Sequence, residues 1–165
     1  MYRKFLITVC IAAAASLGGP AIAQTMVKEV EVDVDLDAVE NAKAAAHWSE
    51  IASDLENAIV ARLTDRLVGE NEEGAKIAVD IDEVSLASSW DSAVGAADSK
   101  LAGTVNVSHE SDNTAFDSYE LTVTFEQAGP FFLPGTDFTA ITTDSQEYYD
   151  AMIAAFADHL VSRIE

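Results

Sequence analysis

Across Val27 to Leu36 apolar and acidic residues alternate, strictly from Glu29 onward, with Val30, Val32, Val34 and Leu36 set against Glu29, Glu31, Asp33 and Asp35. A period of two with one charged face predicts a half-buried strand. Four carboxylates on one face would repel one another in the middle of a flat sheet. They fit an exposed edge, where charge also blocks edge-to-edge association. The period then changes. Trp48, Ile51, Leu55, Ile59, Leu63 and Leu67 recur at spacings of three or four, and Glu40, Lys43, Glu50, Asp54, Asn57 and Asp65 fall largely outside that stripe. This predicts one long amphipathic helix from Leu36 to Gly69. Asp37 with Glu40 has the form of a capping box, and Gly69 stands where a left-handed residue would end the helix.

The polar turn Gly69–Gly74 leads to a second strand in which Ile77, Val79 and Ile81 alternate while Val84 and Leu86 fall out of phase, so a bulge is expected near Asp82–Glu83. Ala87 to Lys100 is small, polar and irregular apart from Trp90, whose expected place is a plug at the core rim. A hairpin follows. Leu101, Val105 and Val107 share one face of a third strand, and Tyr119, Leu121, Val123 and Phe125 share one face of a fourth. Ser111–Thr114 supplies the turn chemistry between them. Both apolar sets occupy odd positions, so a turn centred near Asp112 puts them on the same side of the sheet. In Ala128–Asp137, Gly129-Pro130 and Pro134-Gly135 bracket Phe131, Phe132 and Leu133 and argue against regular structure there. A closing helix carries the stripe Tyr149, Met152, Ile153, Phe156, Leu160 and Ile164, with Asp144 and Glu147 as its expected capping box.

The element order β-α-β-β-β-α predicts an α+β two-layer sandwich, a four-stranded, mostly antiparallel sheet with two helices on one face. A strand–helix–strand start makes the first two strands parallel in direction. The first strand can join the sheet beside the second or beside the fourth, and the pattern allows both.

The N-terminus changes the picture of compartment. Arg3 and Lys4 precede an apolar run from Phe5 to Leu17, and Ala21-Ile22-Ala23 is a small-x-small cleavage site. Residues 1–23 therefore read as a bacterial signal peptide cut before Gln24, leaving a single acidic domain over 24–165 that is periplasmic or secreted. The run is shorter than the about 20 residues of a membrane span, so no membrane insertion is expected after cleavage. Cys10 follows Val9 in mid-run, the wrong place for lipid attachment. Without that cysteine the domain has no disulfides and no thiol chemistry.

Charge narrows the partners. The chain has 9 basic and 29 acidic residues, and loss of Arg3 and Lys4 with the leader takes the net charge from −20 to −22. Such a domain repels phosphate backbones and anionic lipid, which argues against nucleic acid and is compatible with a cationic partner, divalent ions or simply a solvated surface; export adds an envelope protein as a partner. Asp33, Asp35 and Asp37 suggest a calcium loop, but its sixth and twelfth positions would be Ala38 and Ala44 in place of glycine and glutamate. His47, His109 and His159 stand apart in sequence, without a ligand pair in metal spacing. No catalytic motif or cofactor fingerprint is present, and no cofactor is expected.

The run KLAGTVNVSHESDNTAFDSYELTVTFEQA, within Ile77–Glu165, resembles small bacterial envelope accessory domains of unknown function, in which a glycine-interrupted strand and a strand after a polar turn precede a final helix. The lipid anchor common among them is missing here. The resemblance implies a non-enzymatic periplasmic binding or envelope-accessory domain. A hydrolase using surface carboxylates and a low-affinity divalent-cation-binding protein are the alternatives. Phe131, Phe132 and Leu133 are the candidate interaction surface, either a lid over the sandwich or a solvent-facing contact site.

Overall fold

The computed structural model describes residues 24–34, 49–85, 99–109, 116–143 and 145–164. The strands are β1 (Val27–Val34), β2 (Ala75–Ser85), β3 (Lys100–His109) and β4 (Asp117–Thr124), and the helices are α1 (Ile51–Arg62), α2 (Phe125–Ala128) and α3 (Gln146–Arg163). The sheet order is β1-β2-β3-β4. β1 is parallel to β2, and β2–β3 and β3–β4 are antiparallel. The sheet is therefore mixed, not mostly antiparallel as the sequence suggests, because the helical crossover lays β1 parallel to its neighbour, which holds at either edge. A third, short helix is also present between β4 and α3.

The alternation places the core. Val30, Val32 and Val34 stand beside Ile77, Val79 and Ile81, and these beside the odd positions of β3 and β4. Ile77, Val79, Ile81, Leu101, Val105 and Val123 are almost fully buried under α1 and α3. Each such side chain contributes about 1.5–3 kcal/mol. The other face bears Glu29, Glu31 and Asp33 of β1, which lies at the sheet edge as expected, together with Asp80 and Asp82 of β2 and Glu120 of β4, all exposed. There Glu29 pairs with Lys76 at 2.8 Å, and Thr104 donates to Asp82 at 2.9 Å. The register of β2 against β3 shifts between Asp80 and Glu83, the bulge that the phase change implies. The β3–β4 register is symmetric about position 112, although residues 110–115, the turn itself, lie outside the described residues.

Three expectations about the helices need correction. The long helix stops at Arg62, not Gly69, and Thr64–Arg66 winds as a 3-10 turn that carries Arg66 inward. Leu67, the last residue of the expected stripe, is 39% exposed and bridges to Val27 as a strand residue. Gly69 is not left-handed, since among the described residues only Gly135 has a positive φ. The expected start of that helix, Asp37 and Glu40 included, lies in 35–48, outside the described residues. Phe125 leaves the β4 face because it opens α2. The residue capping α3 is Ser145, whose hydroxyl accepts from the Tyr148 N–H at 3.2 Å, one position after the expected Asp144. Its buried residues include Tyr148, Ala151, Ala155 and Ala157 besides the stripe, so α3 is covered on more than one side. It packs against the sheet, α1 and the α2 segment. Among the described residues, no helix is long and apolar enough to cross a membrane.

Candidate functional site

The aromatic cap at one end of the sandwich is built from the chain that leaves β4. Thr124 ends the strand and caps α2: its hydroxyl accepts from the Gln127 N–H while the Gln127 side chain accepts from the Thr124 N–H at 2.9 Å. This reciprocal pair satisfies donors that a helix start would leave open. Gly129–Phe131 continues as a 3-10 turn with Pro130 near its start, where a missing N–H costs nothing. The Gly-Pro bracket thus shapes a short helical connection where irregular loop is expected.

The turn directs three phenylalanines and a tyrosine toward one another. Phe125 meets Phe132 edge-on at 5.5 Å and Phe138 at 6.2 Å, Phe132 meets Phe138 at 5.2 Å, and Phe125 stacks on Tyr148 at 6.1 Å. Edge-to-face pairs of this kind add about 0.5–1.5 kcal/mol each beyond their buried area. The Tyr148 hydroxyl donates to the hydroxyl of buried Ser99, just ahead of β3. Burial pushes the Tyr148 phenol up from its ordinary value, and the Ser99 hydrogen bond offsets part of that rise.

The candidate triplet divides on this scaffold. Phe132 is 8% exposed and closes the core as a lid, Phe131 is half-buried against it, and Leu133 is 74% exposed. Phe138, half exposed, completes the outer rim. The rim is held by hydrogen bonds. Pro134 and Gly135 occupy the centre of a turn in which the Thr136 N–H donates to the Leu133 carbonyl at 3.1 Å, and Gly135 supplies the φ of 92° that a type II turn requires. Asp137 accepts from the Thr139 N–H at 3.0 Å and hydroxyl at 2.7 Å, and these bonds hold its carboxyl below the usual carboxylate range. Phe138 and Phe125 are absent from the site that sequence reasoning marks. The pattern Thr124-x-x-Gln127 is the signal that could have brought Phe125 out of the strand.

A second feature lies between α1 and α3, a shallow groove of about 370 Å³ lined by Asp54, Arg62, Gln146, Tyr149 and Asp150 among others. Tyr149 donates to Asp54 at 2.7 Å, Gln146 donates to Asp150 at 2.8 Å, and Arg62 lies 3.7 Å from Asp158. Burial first, then the hydrogen bond to Asp54 and the charges of Asp54, Asp150 and Glu50, push the Tyr149 phenol well above its ordinary value. A phenol held protonated against a carboxylate is a brace between parallel helices, and it supplies no base at neutral pH.

The remaining sequence candidates are scattered. Asp33 is exposed on β1, while Asp35, Asp37, His47 and Trp90 lie outside the described residues. His109 ends β3 and His159 lies on α3, both half-buried. Among the described residues, no three His, Cys, Asp or Glu side chains are grouped to hold a metal.

The geometry defines an α+β sandwich with a braced aromatic cap, and comparison with known proteins adds no family to that description. No protein-family model and no curated protein matches the chain. Among solved structures, it is similar to PelC, in a dodecamer from Paraburkholderia phytofirmans, at 11% identity over 81% of this chain and 86% of that one, with a TM-score of 0.39. It is also similar to a candidate lipoprotein from Caulobacter crescentus at 11% identity over 82% of this chain and 86% of that one, with a TM-score of 0.34. Both scores fall short of a shared fold.

Proposed function

We propose that this chain is a non-enzymatic binding or accessory domain of the bacterial envelope, which engages a protein partner through the rim formed by Leu133 and Phe138. The observation that carries this reading is the exposure of two large apolar side chains, 74% and 50%, on turns fixed by hydrogen bonds and braced by buried rings. Contact residues that lose little freedom on binding are the kind that dominate interface energies. Within the triplet Phe131, Phe132 and Leu133, Leu133 is the contact residue, Phe131 its border and Phe132 the support. Export is the second half of the proposal: residues 1–23 are removed before Gln24, and the domain works in the periplasm or outside the cell. Arg3, Lys4, the apolar run and Ala21-Ile22-Ala23 support it.

The test is site-specific photo-crosslinking in intact cells, with the crosslinking residue at Leu133 or Phe138 and a control at exposed Glu73. One envelope protein captured from both rim positions and not from the control is the expected result. Rim positions that give only the control's pattern would overturn the reading, and an intact mass that retains Met1–Ala23 would overturn the export half.

A further inference from the structure

The border of the rim says what kind of surface fits it. From Phe125 to Glu147 the chain carries Glu126, Asp137, Asp144 and Glu147 and no lysine, arginine or histidine. In sequence Glu126 follows Phe125, the ring beneath the rim, and Asp137 precedes Phe138 of the rim itself, and Glu126, Asp137 and Glu147 are all exposed. The Thr139 hydrogen bonds favour the ionised form of Asp137, so the charge beside Phe138 is fixed in place. Lys100, opposite Thr124 in the register, belongs to the set on the outer face of the sheet, away from the core side. An apolar centre with an acidic border disfavours an acidic partner and an anionic lipid surface, since both place like charges together on contact. It favours a protein surface of opposite border charge, which gains steered encounter as well as burial.

We infer that the partner presents an apolar socket bordered by lysine or arginine side chains. This rests on the reading of Leu133 and Phe138 as the contact surface, and adds the partner's chemistry to it. The apolar contact sets how long the complex lasts, and the charged border sets how fast it forms and how strongly salt weakens it.

The experiment uses three synthetic amphipathic helical peptides with the same leucine face and a lysine, glutamine or glutamate polar face, followed by fluorescence anisotropy at low and physiological salt. The lysine peptide is expected to bind tightest, and Leu133→Ser with Phe138→Ser is expected to weaken it about tenfold. Glu126→Gln with Asp137→Asn should weaken the lysine peptide and flatten its salt dependence, leaving the glutamine peptide unchanged. If the glutamine peptide binds as tightly as the lysine peptide and both need Leu133 and Phe138, the contact surface stands and the basic border is wrong. If lysine-peptide binding ignores the Leu133 and Phe138 substitutions, it reflects the charge of the whole chain, and both readings fall. Capture of the protein by anionic phospholipid vesicles, lost on Phe138→Ser, would replace the protein partner with a membrane.

Discussion

The Arg66 guanidinium donates through Nη2 to the Ile164 carbonyl at 3.0 Å, joining the residue that ends the 3-10 turn to the last turn of the closing helix. Through Nε the same group donates to the Thr25 carbonyl, also at 3.0 Å. Arg66 is 5% exposed, so one buried side chain ties the approach to β1 to the end of α3. The Val68 N–H to the Val27 carbonyl and the Ala75 N–H to the Met26 carbonyl complete the seam.

Substitution at Arg66 should therefore be costly. Charged hydrogen bonds contribute about 1.5–3 kcal/mol each, and an orphaned buried carbonyl costs about 1–3 kcal/mol. Arg66→Ala is expected to lose about 3 kcal/mol in urea unfolding with an unchanged slope, and Arg66→Lys, which can reach one carbonyl at a time, about half of that. A loss under about 0.5 kcal/mol, the range of an ordinary surface change, would show that the seam does not need the guanidinium.

Gly103 should tolerate no side chain. It lies on β3 across from the bulge, where an added Cβ would come within 2.6 Å of the Asp80 carbonyl oxygen and 2.9 Å of Ile81 Cδ1. The nearer atom is backbone and cannot swing aside. Gly103→Ala should cost about 1–3 kcal/mol, as overpacking does. Gly69→Ala is the control: it is exposed, its φ is not positive and nothing lies within 4 Å, so stability should stay level or rise by about 0.4–1 kcal/mol. Equal melting temperatures for the two variants would contradict the bulge geometry.

The strands were legible in the sequence because their alternation reports burial directly. Val32, Val79, Val105 and Leu121 face the core in the expected phase, and the slip before Glu83 follows from Val84 falling out of phase. Choice of edge was not legible, since β1 presents the same valines to either neighbour. The early end of α1 was hidden for another reason. Leu63 and Leu67 keep the helical spacing, but the carbonyls of Thr25 and Ile164 draw Arg66 inward, and that attraction is long-range. At the cap, Pro134-Gly135 forms a turn as its residues suggest, whereas Gly129-Pro130 opens a 3-10 turn where irregular loop is expected. They could not say that Phe125, from the preceding strand pattern, would meet Phe132 and Phe138, because ring contacts across a turn have no period.

High pH should unfold the domain through its tyrosines. Burial raises the phenols of Tyr119, Tyr148 and Tyr149 above their ordinary value of 10.0, and at Tyr149 the neighbouring carboxylates add to the rise. Above about pH 10 the unfolded chain loses these protons first, so it binds fewer protons than the folded state and stability falls as pH rises. The contribution is complete below pH 10 and lost as the pH climbs toward the folded-state values. Melting temperatures should hold steady up to that point and then drop, with the tyrosinate absorbance band appearing together with unfolding. Tyr149→Phe should soften the alkaline drop. A tyrosinate band that appears near pH 10 for all tyrosines in a still-folded protein would refute the burial argument.

The two residues Phe132 and Leu133 are neighbours in sequence and opposites in burial, and this makes the sharpest test of the cap. Phe132, 8% exposed, has Phe125 and Phe138 against its ring, so Phe132→Ser removes both burial and edge-on contacts. Phe-sized deletions from a core cost about 3–5 kcal/mol, which in a domain of this size lowers the melting temperature by roughly 10 °C. Leu133 touches water over most of its surface, and Leu133→Ser should change stability by no more than about 0.5 kcal/mol. Phe131→Ser, half-buried, should fall between them. Partner capture should show the other order, lost with Leu133→Ser in a protein that melts normally, and lost with Phe132→Ser only as the fold is lost. A Leu133→Ser variant as unstable as Phe132→Ser would make the whole segment a lid and leave the rim without a binding role.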